Sequence, residues 1–568
     1  MSIRTLKALL WIAIGGLALF RAWDWRYELV NDTVSYLDMG DQFFAGNFSA
    51  IVNGTWGPLY ALLLGAWTHL LRPAPRWEYP AIHALLFLLY LGCMACFDLF
   101  LAELIRFKER LDAKSPESEK AIVPAAALIV IGYTIFAWAT LALIGVEETN
   151  PDMLVATFFF LASAAVLRIH NSNARTSAIV LLGTAVAGGY LTKAAFVPVG
   201  GLLILSAAMG AGGALACLRI GLIASLTACL LAAPQVIALS SQRGRLTASE
   251  TGRFNYAVHV QGVTYRHWQG ETPGAGRPVH PTRKLLDAPA VFEFDGPLPG
   301  TYPFWFDPSY WYEGLMARAD WRRQAGAIAT NGPAVLYHLF SINCAPLCLL
   351  ILLHGIAIRY RGALASAAKS WIVMVPAAAG VVPYVLVHYE SRYVAGFLCV
   401  LLTAGIASAR VPTNMLSAQL YSAAAALIVA MFAMPFPTSP VKELGVYRAL
   451  RGAMPDRQNT NWSVAAALHE AGYGPGTKVA TIEYANMSSV LWARLARMKV
   501  IAEVYYRPDR PETHPNLFWR APAEARRRVL DALRSAGARV AVTAETPRGW
   551  GAGHWRRLAD SQYHYIAL

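Results

Sequence analysis

The segment that decides the topology is residues 56–71, WGPLYALLLGAWTHLL. Gly57 and Pro58 open it, and Thr68 and His69 interrupt its apolar run near the end. It is shorter than the roughly 20 residues that an α-helix needs to cross a hydrocarbon core of about 30 Å. It could still span, or it could lie along the membrane surface, and the charges around it favour the surface.

Apolar blocks of spanning length surround this segment. The chain is 56% hydrophobic and only 15% charged, whereas soluble chains have about 25% charged residues. The blocks fall at residues 6–23, 79–105, 121–144, 151–169, 177–192, 194–209, 216–239, 333–357, 371–387, 393–409 and 416–435. The sequence therefore predicts an all-α polytopic membrane bundle of about eleven spanning helices.

The chain has a net charge of +14, and the positions of its basic residues bear on the topology. If residues 56–71 lie on the outer surface, the inner loops contain a consistent set of basic residues: Arg4, Lys7, Arg106, Lys108, Arg110, Lys114, Lys120, Arg168, Arg175, Arg219, Arg359, Arg361, Lys369 and Arg410. This is the positive-inside pattern. It predicts an inner (plasma) membrane protein with a cytoplasmic N-terminus, and it assigns the basic charge to lipid headgroups rather than to nucleic acid.

Two domains are predicted. Residues 1–435 form the transmembrane domain, with outer loops at 24–78 and 241–332. Residues 436–568 contain strand-like runs at 478–483, 500–505 and 539–543, which alternate with helical stretches near 463–471, 486–497 and 522–536. This alternation predicts a small soluble α/β domain on the outer (periplasmic or extracellular) face.

Acidic residues follow the first span. Asp32 comes directly after it, and Asp38 and Asp41 follow. A carboxylate at a membrane boundary is a candidate general base. The alternative is a helix N-cap, a position that Asp favours.

A second acidic group joins the third and fourth spans, at Glu147-Glu148-Thr-Asn-Pro-Asp152. Pro151 and Asp152 would open the next helix well, so capping again explains them. Three carboxylates in so short a loop exceed what capping needs. The loop is therefore a candidate site for a divalent metal or a substrate hydroxyl.

Two cations on the predicted outer side break the charge rule. Lys193 separates two closely connected spans, and Arg392 lies in the polar turn His388-Tyr-Glu-Ser-Arg-Tyr393. Each could bind an anionic group such as a phosphate. The alternatives are snorkelling of Lys193 to lipid headgroups and an internal Glu390–Arg392 ion pair.

The aromatic stretch at residues 301–312, TYPFWFDPSYWY, lies in the second outer loop. Its rings could stack on sugars or form an interfacial belt.

Taken in order, these motifs resemble the GT-C glycosyltransferases that use lipid-linked donors. The closest likeness is to protein O-mannosyltransferases, aminoarabinose transferases of lipid A and related lipopolysaccharide sugar transferases. The motifs that carry it are Asp32 with Tyr36, Trp56-Gly-Pro-Leu-Tyr60, Asn150-Pro-Asp152, Tyr190-Leu-Thr-Lys193 and Arg392-Tyr393.

The resemblance implies roles for these residues. Asp32 is the expected catalytic base, supported by Asp152, and Arg392 and Lys193 are the expected donor phosphate ligands. Tyr36, Trp56, Glu148, His388 and Tyr393 are expected to contact substrate. The family often has a Lys-Pro pair before the outer helix, where this chain has Gly57-Pro58. It also often has an acidic pair in the first loop, where Thr33 follows Asp32.

The implied activity is transfer of a hexosyl or pentosyl group, with inversion, from a polyprenyl-phosphate sugar to a hydroxyl of a lipid, glycan or protein acceptor. Two other readings remain. A glycolipid transporter or flippase would also have many spans, although such proteins often show two similar halves, which this sequence lacks. A catalytically inactive relative that only binds glycan would keep the same motifs.

Overall fold

The computed structural model describes residues 2–113, 124–172, 174–263, 283–313, 317–340, 370–408, 459–483, 485, 489–504, 516–544 and 555–568. These residues form two compact units. The first comprises Met1–Asp24, Leu86–Ala248 and Ala319–Pro455, and the second comprises Trp25–Leu85, Ser249–Arg318 and Asp456–Leu568. The predicted span at 416–435 and the end of the one at 333–357 lie outside the described residues.

The first unit is a helical bundle. Its helices are α1 (Ile3–Asp24), the later part of α4 (Pro75–Ala113), α5 (Ala125–Ala137), α6 (Asp152–Asn171), α7 (Thr176–Thr192), α8 (Phe196–Met209), α9 (Ala214–Arg243), α12 (Trp321–Phe340), α13 (Trp371–Leu386) and α14 (Ser391–Ser408). Rings such as Phe97, Phe136 and Phe159 are fully buried and pack in one hydrophobic core. Some of these helices also expose apolar side chains, such as Ile12 on α1 and Leu218 on α9, as expected of membrane spans.

Within the described residues, six helices are long and apolar enough to cross a membrane: Ile3–Asp24, Pro75–Ala113, Ala125–Ile144, Asp152–Asn171, Ala214–Arg243 and Ser391–Ser408. Four shorter apolar helices accompany them, at Pro58–Leu71, Thr176–Thr192, Phe196–Met209 and Trp371–Leu386. The chain is thus a mostly helical, multi-pass membrane protein. The total of about eleven spans stays a prediction.

A π-helix continues directly from the end of α5. It comprises Trp138–Ile144 and stops at Gly145, where φ is +81°. Such a left-handed turn favours glycine because it has no Cβ. π-helical segments are often found next to functional sites, and this one leads directly into the acidic loop before α6.

The second unit contains α2 (Asp32–Phe44), α3 (Pro58–Leu71), the start of α4, α10 (Thr251–His259) and α11 (Pro303–Phe306). Pro58 opens α3 at a position where its missing N–H costs nothing. The 14 residues of α3 span about 21 Å at 1.5 Å per residue. That is less than the hydrocarbon core, and the surface position of this helix stays a prediction.

A mixed sheet completes the second unit. Its strands are β1 (Arg283–Asp287), β2 (Ala290–Glu293), β3 (Lys478–Thr481), β4 (Lys499–Val504), β5 (Val540–Thr543), β6 (Arg556–Arg557) and β7 (His564–Ala567), in the order β1-β2-β4-β3-β5-β7-β6. The central strands β4, β3 and β5 are parallel. Short helices precede or join them: α15 (Thr460–Glu470), α16 (Ser489–Leu495), α17 (Asn516–Arg520) and α18 (Ala523–Ser535).

The three parallel strands confirm the small α/β fold predicted from the C-terminal sequence. Residues 283–293 were predicted only as part of a loop, yet they form the hairpin β1–β2 that pairs antiparallel with β4. The sheet therefore draws on the second predicted outer loop as well as on the tail. The proposed division at residue 435 stays a prediction.

Two glycines let α2 and α3 approach closely. A Cβ on Gly65 would lie 2.7 Å from the Cα of Gly40. We expect Gly65→Ala to lower the free energy of unfolding by about 1–3 kcal/mol, the usual cost of overpacking. The measurement is thermal unfolding of the purified chain, with Gly16→Ala as control because nothing lies within 4 Å of its added methyl. Equal unfolding temperatures for the two variants would contradict the close crossing.

Candidate functional site

The acidic loop of the first unit positions Asp152. The side-chain oxygen of Asn150 accepts a hydrogen bond from the backbone N–H of Asp152 at 3.0 Å. Asp152 is the first residue of α6, and its side chain is buried. Because Asn150 satisfies this helical N–H, the carboxylate of Asp152 is left to bind other groups. Helix capping alone, the simpler alternative from sequence, therefore does not account for Asp152.

Two cations converge on this carboxylate. The Lys193 Nζ lies 2.7 Å from one oxygen of Asp152, and the Arg392 Nε lies 3.7 Å from the other. Lys193 comes from the turn between α7 and α8, and Arg392 from the first turn of α14. Lys193 thus has an anionic partner within the chain, the Asp152 carboxylate. Its roles toward a donor phosphate or lipid headgroups stay predictions.

Arg392 has two further acidic neighbours. Its Nε is 2.6 Å from a Glu390 oxygen, and its Nη1 is 3.8 Å from a Glu148 oxygen. The internal Glu390–Arg392 pair that the sequence left open is therefore present, together with contacts to two other acids. His388 Nε2 lies 3.2 Å from Glu390.

The carboxyls of this group differ in their pKa values. Burial raises the pKa of Glu148, and Arg392 only partly offsets that effect. For Glu390, burial is outweighed by its hydrogen bond to His388 and by Arg392, which together lower its pKa to about 2. Glu390 is therefore ionised at neutral pH, and it is the nearest of the three acids to Arg392.

An aromatic ring completes the cluster. The Lys193 Nζ lies 3.8 Å from the centroid of the Tyr393 ring, and Tyr393 packs against Tyr384 with ring centroids 5.2 Å apart. We call the following set the polar cluster: Glu148, Asp152, Lys193, His388, Glu390, Arg392 and Tyr393. It holds six of the nine residues that the sequence singled out, and Glu390 is the member that sequence analysis treated only as a structural partner.

The other three predicted residues lie in the second unit. Asp32 is the first residue of α2, and one of its oxygens accepts a hydrogen bond of 2.8 Å from the indole Nε1 of Trp305. The Tyr36 and Trp56 rings are 5.3 Å apart, and the Trp56 Nε1 donates to the backbone oxygen of Trp305 at 3.2 Å. Trp305 thus ties Asp32 to Trp56.

The aromatic stretch around Trp305 is mostly buried. Phe304 and Trp311 are fully buried, with ring centroids 5.3 Å apart. Neither an exposed sugar platform nor an interfacial belt, the two expectations from sequence, describes these rings. They form part of the interior of the second unit, and Trp305 uses its polar edge to hold Asp32.

Asp38 and Asp41 have a different partner from Asp32. Arg494, on α16, lies 2.8 Å from Asp38, 2.6 Å from Asp41 and 2.7 Å from Glu78. Thr301 adds backbone and hydroxyl hydrogen bonds to Asp38. Burial raises the pKa of Asp38 even though Arg494 opposes this. These two acids thus pair with an arginine of α16, a contact that no local sequence pattern indicated.

No family model and no curated protein matches the sequence. Among solved structures the chain is similar to ArnT from Cupriavidus metallidurans in the apo state, with 13% identity, a TM-score of 0.50, and coverage of 100% of this chain and 98% of that chain. The same protein bound to undecaprenyl phosphate gives 12% identity and a TM-score of 0.50 over 99% and 97% of the two chains. The chain has the GT-C fold.

This result confirms, at the level of the fold, the resemblance carried by the sequence motifs. An oligosaccharyltransferase from Archaeoglobus fulgidus, in complex with Zn and sulfate, is also similar, at 10% identity and a TM-score of 0.46 over 94% of this chain and 67% of that chain.

The carboxylates of the polar cluster contact cations of the protein itself. Among the described residues, no group of three or more His, Cys, Asp or Glu side chains is arranged to hold a metal ion. Asp152 and Glu390 are turned toward Lys193 and Arg392. The divalent metal stays a prediction.

Asp32 and Asp152 belong to different units. The first unit supplies the cationic cluster around Asp152, and the second supplies Asp32 with its indole donor. That the two carboxylates face one cavity stays a prediction.

Proposed function

We propose that this chain is a membrane glycosyltransferase that moves a sugar from a polyprenyl-phosphate donor to an acceptor hydroxyl at the outer face of the inner membrane. The observation that carries the proposal is the convergence of Lys193 and Arg392 beside Asp152 in a chain with the GT-C fold. The likeness to an ArnT structure bound to undecaprenyl phosphate supports the choice of donor.

The leaving group determines what the cluster must do. When the bond between the anomeric carbon and the phosphate oxygen breaks, the electron pair stays on the polyprenyl phosphate. Arg392 and Lys193 stabilise that charge, since preorganised cations in a site with little water are worth more than in bulk solvent. In the free protein Asp152, Glu148 and Glu390 neutralise these cations, and the donor phosphate takes over part of that contact.

The acceptor side requires a base. Asp32 accepts the proton of the acceptor hydroxyl while the hydroxyl oxygen attacks the anomeric carbon from the face opposite the phosphate. This displacement inverts the configuration at the anomeric carbon. The Trp305 indole, at 2.8 Å, fixes one carboxylate oxygen of Asp32. The Asp32 carboxylate held in this way carries out the proton transfer.

The test of this function is transfer itself. The purified chain is incubated with polyprenyl-phosphate sugars radiolabelled in a hexose or a pentose, together with lipid, glycan and protein fractions of the cell envelope. The proposal predicts labelled product in one acceptor fraction with one sugar class. Absence of labelled product from every combination, with a folded protein, would count against the proposal.

Arg392 provides a prediction about the donor. We expect Arg392→Ala to raise the KM for donor about tenfold or more and Arg392→Lys to raise it less, because phosphate neutralisation requires charge first and forked geometry second. Glu390→Gln is the matched control, since it removes the charge of the acid nearest to Arg392 and keeps the guanidinium. If Arg392 served only as the structural partner of Glu390, then Arg392→Ala and Glu390→Gln would have equal effects.

Trp305 is predicted to be a positioning residue. Trp305→Phe keeps an aromatic ring but removes the Nε1–H that binds Asp32. We expect kcat to fall about tenfold while KM for donor changes little, because the ordering of a base acts on the chemical step. Trp321→Phe is the control, since Trp321 is 81% exposed. If Trp305→Phe lowered activity only by lowering the unfolding temperature, and kcat of the folded fraction were unchanged, Trp305 would be only a packing residue.

A further inference from the structure

An open cavity of about 300 Å³ lies within the second unit, away from Asp32. The C-terminal ends of α2 and α3, the start of α4 and the end of α16 line it. Its charged lining residues are Asp41, His69, Arg72, Glu78, Arg494 and Arg497. We call it the arginine cavity. Its volume is at the lower end of the range of small-molecule sites.

The arginines of this cavity have different surroundings. Arg494 is 4% exposed and contacts Asp38, Asp41 and Glu78, so its charge is already matched. Arg497 shares Glu78 with it. In the part of the chain that the structure describes, Arg72 has no acidic partner, and its side chain is exposed. Arg72 is thus the lining arginine that is best able to bind a further anion, and Arg497, which shares its carboxylate with Arg494, could add a second contact.

The backbone presents these two arginines in an uncommon way. Arg72 ends α3 with φ of +45°, and Arg497 follows α16 with φ of +57°. Residues other than glycine rarely adopt this left-handed conformation, and such outliers concentrate at functional sites. Two of the four described residues of this kind line the same cavity.

Exposed apolar residues stand next to the lining residues along the chain. Leu70 and Leu71 directly precede Arg72 and are 75% and 48% exposed, and Trp77, just beyond it, is 48% exposed. Phe44, which lines the cavity, is 37% exposed. In a protein whose helices cross a membrane, such a surface suits acyl chains. An anion-binding cavity with exposed apolar neighbours along the chain matches an amphiphile whose headgroup carries the negative charge.

We propose that the arginine cavity binds the phosphate of an anionic membrane lipid, held by Arg72 and Arg497, with the acyl chains lying against Leu70, Leu71 and Trp77. The guanidinium groups supply charge-assisted hydrogen bonds to the phosphate oxygens. His69 lies beside them and adds a further polar contact. This inference does not depend on the glycosyl-transfer proposal, because the binding requires neither donor nor acceptor.

The experiment measures equilibrium binding to the purified full-length chain in detergent. The probe is phosphatidic acid with a fluorescent acyl chain. Two lipids with the same acyl chains serve as comparisons. Phosphatidylcholine has no net charge, and diacylglycerol has no phosphate headgroup. The proposal predicts saturable binding of phosphatidic acid at least about tenfold tighter than that of either analogue. Equal affinity for all three lipids would overturn the lipid site. It would also be overturned if inorganic phosphate displaced the fluorescent probe at the same concentration as unlabelled phosphatidic acid does.

Variants locate the binding. Arg72→Gln is expected to weaken phosphatidic acid binding about tenfold or more, and Arg72→Lys to weaken it less. Arg76→Gln is the matched control, because Arg76 lies four residues away, stacks over Trp77 and does not line the cavity. Unchanged binding in Arg72→Gln would overturn the proposal. An equal loss in Arg76→Gln would overturn it too, since it would indicate general surface attraction.

A second measurement does not need a variant to fold. Phosphatidic acid with a photoreactive acyl chain is cross-linked to the wild-type chain, and the labelled peptides are identified. Label concentrated between residues 68 and 77, and displaced by unlabelled phosphatidic acid, supports the site. Label confined to the membrane-spanning helices overturns it.

Discussion

Asp32→Asn is expected to lower turnover by about 10²-fold or more, the usual scale for a lost general base. Asparagine keeps the size of the side chain and can still accept the hydrogen bond of 2.8 Å from the Trp305 indole. It cannot accept the proton of the acceptor hydroxyl. Folding and donor binding should therefore remain close to wild type while kcat falls.

The measurement for Asp32 is kcat with donor and acceptor saturating, together with the unfolding temperature. Asp287→Asn makes the same chemical change in the same unit at a side chain that is 90% exposed, and it should leave turnover unchanged. An Asp32→Asn protein with full turnover would remove Asp32 from the mechanism.

Arg494→Met is expected to cause the largest loss of stability, about 3–5 kcal/mol in the free energy of unfolding. The substitution would leave the carboxylates of Asp38 and Glu78 buried without their shared cation. Removing one partner from a buried ionic network costs this much because the remaining charge stays desolvated. Thermal or denaturant unfolding of the purified chain measures the effect.

The control is Arg534→Met, on α18, where the arginine is 56% exposed and pairs with Asp531. Exposed pairs of this kind contribute at most about 1 kcal/mol. Adding Glu78→Gln to Arg494→Met should recover part of the loss, because the two groups interact directly. Similar stabilities for Arg494→Met and Arg534→Met would show that the buried network is not a main support of the second unit.

The sequence predicted the elements that depend on local pattern. Apolar blocks of spanning length correspond to helices such as Ile3–Asp24 and Asp152–Asn171. The apolar runs near residues 478, 500 and 540 became the parallel strands of the sheet. Both patterns follow from burial and hydrogen bonding within a short stretch of chain, so one sequence is enough to reveal them.

Contacts between distant residues were harder to predict. The hairpin β1–β2 joins a strand about 200 residues further along the chain, and Arg494 pairs with residues more than 400 positions earlier. No periodicity encodes such contacts. Lys193 did give a signal, because a lysine on the predicted outer side breaks the charge rule and implies an anionic partner. The sequence could not tell that the partner is Asp152.

Glycosyl transfer can be distinguished from lipid flipping with a donor that carries one radioisotope in its sugar and another in its polyprenyl phosphate. The purified chain is placed in proteoliposomes with this donor and an envelope acceptor fraction, and the products are separated. Glycosyl transfer predicts that the two labels part, with the sugar label in the acceptor and an equal amount of free polyprenyl phosphate, and that Asp32→Asn abolishes the separation. Both labels remaining together in a donor that has only changed leaflet would contradict the account and identify a lipid flippase.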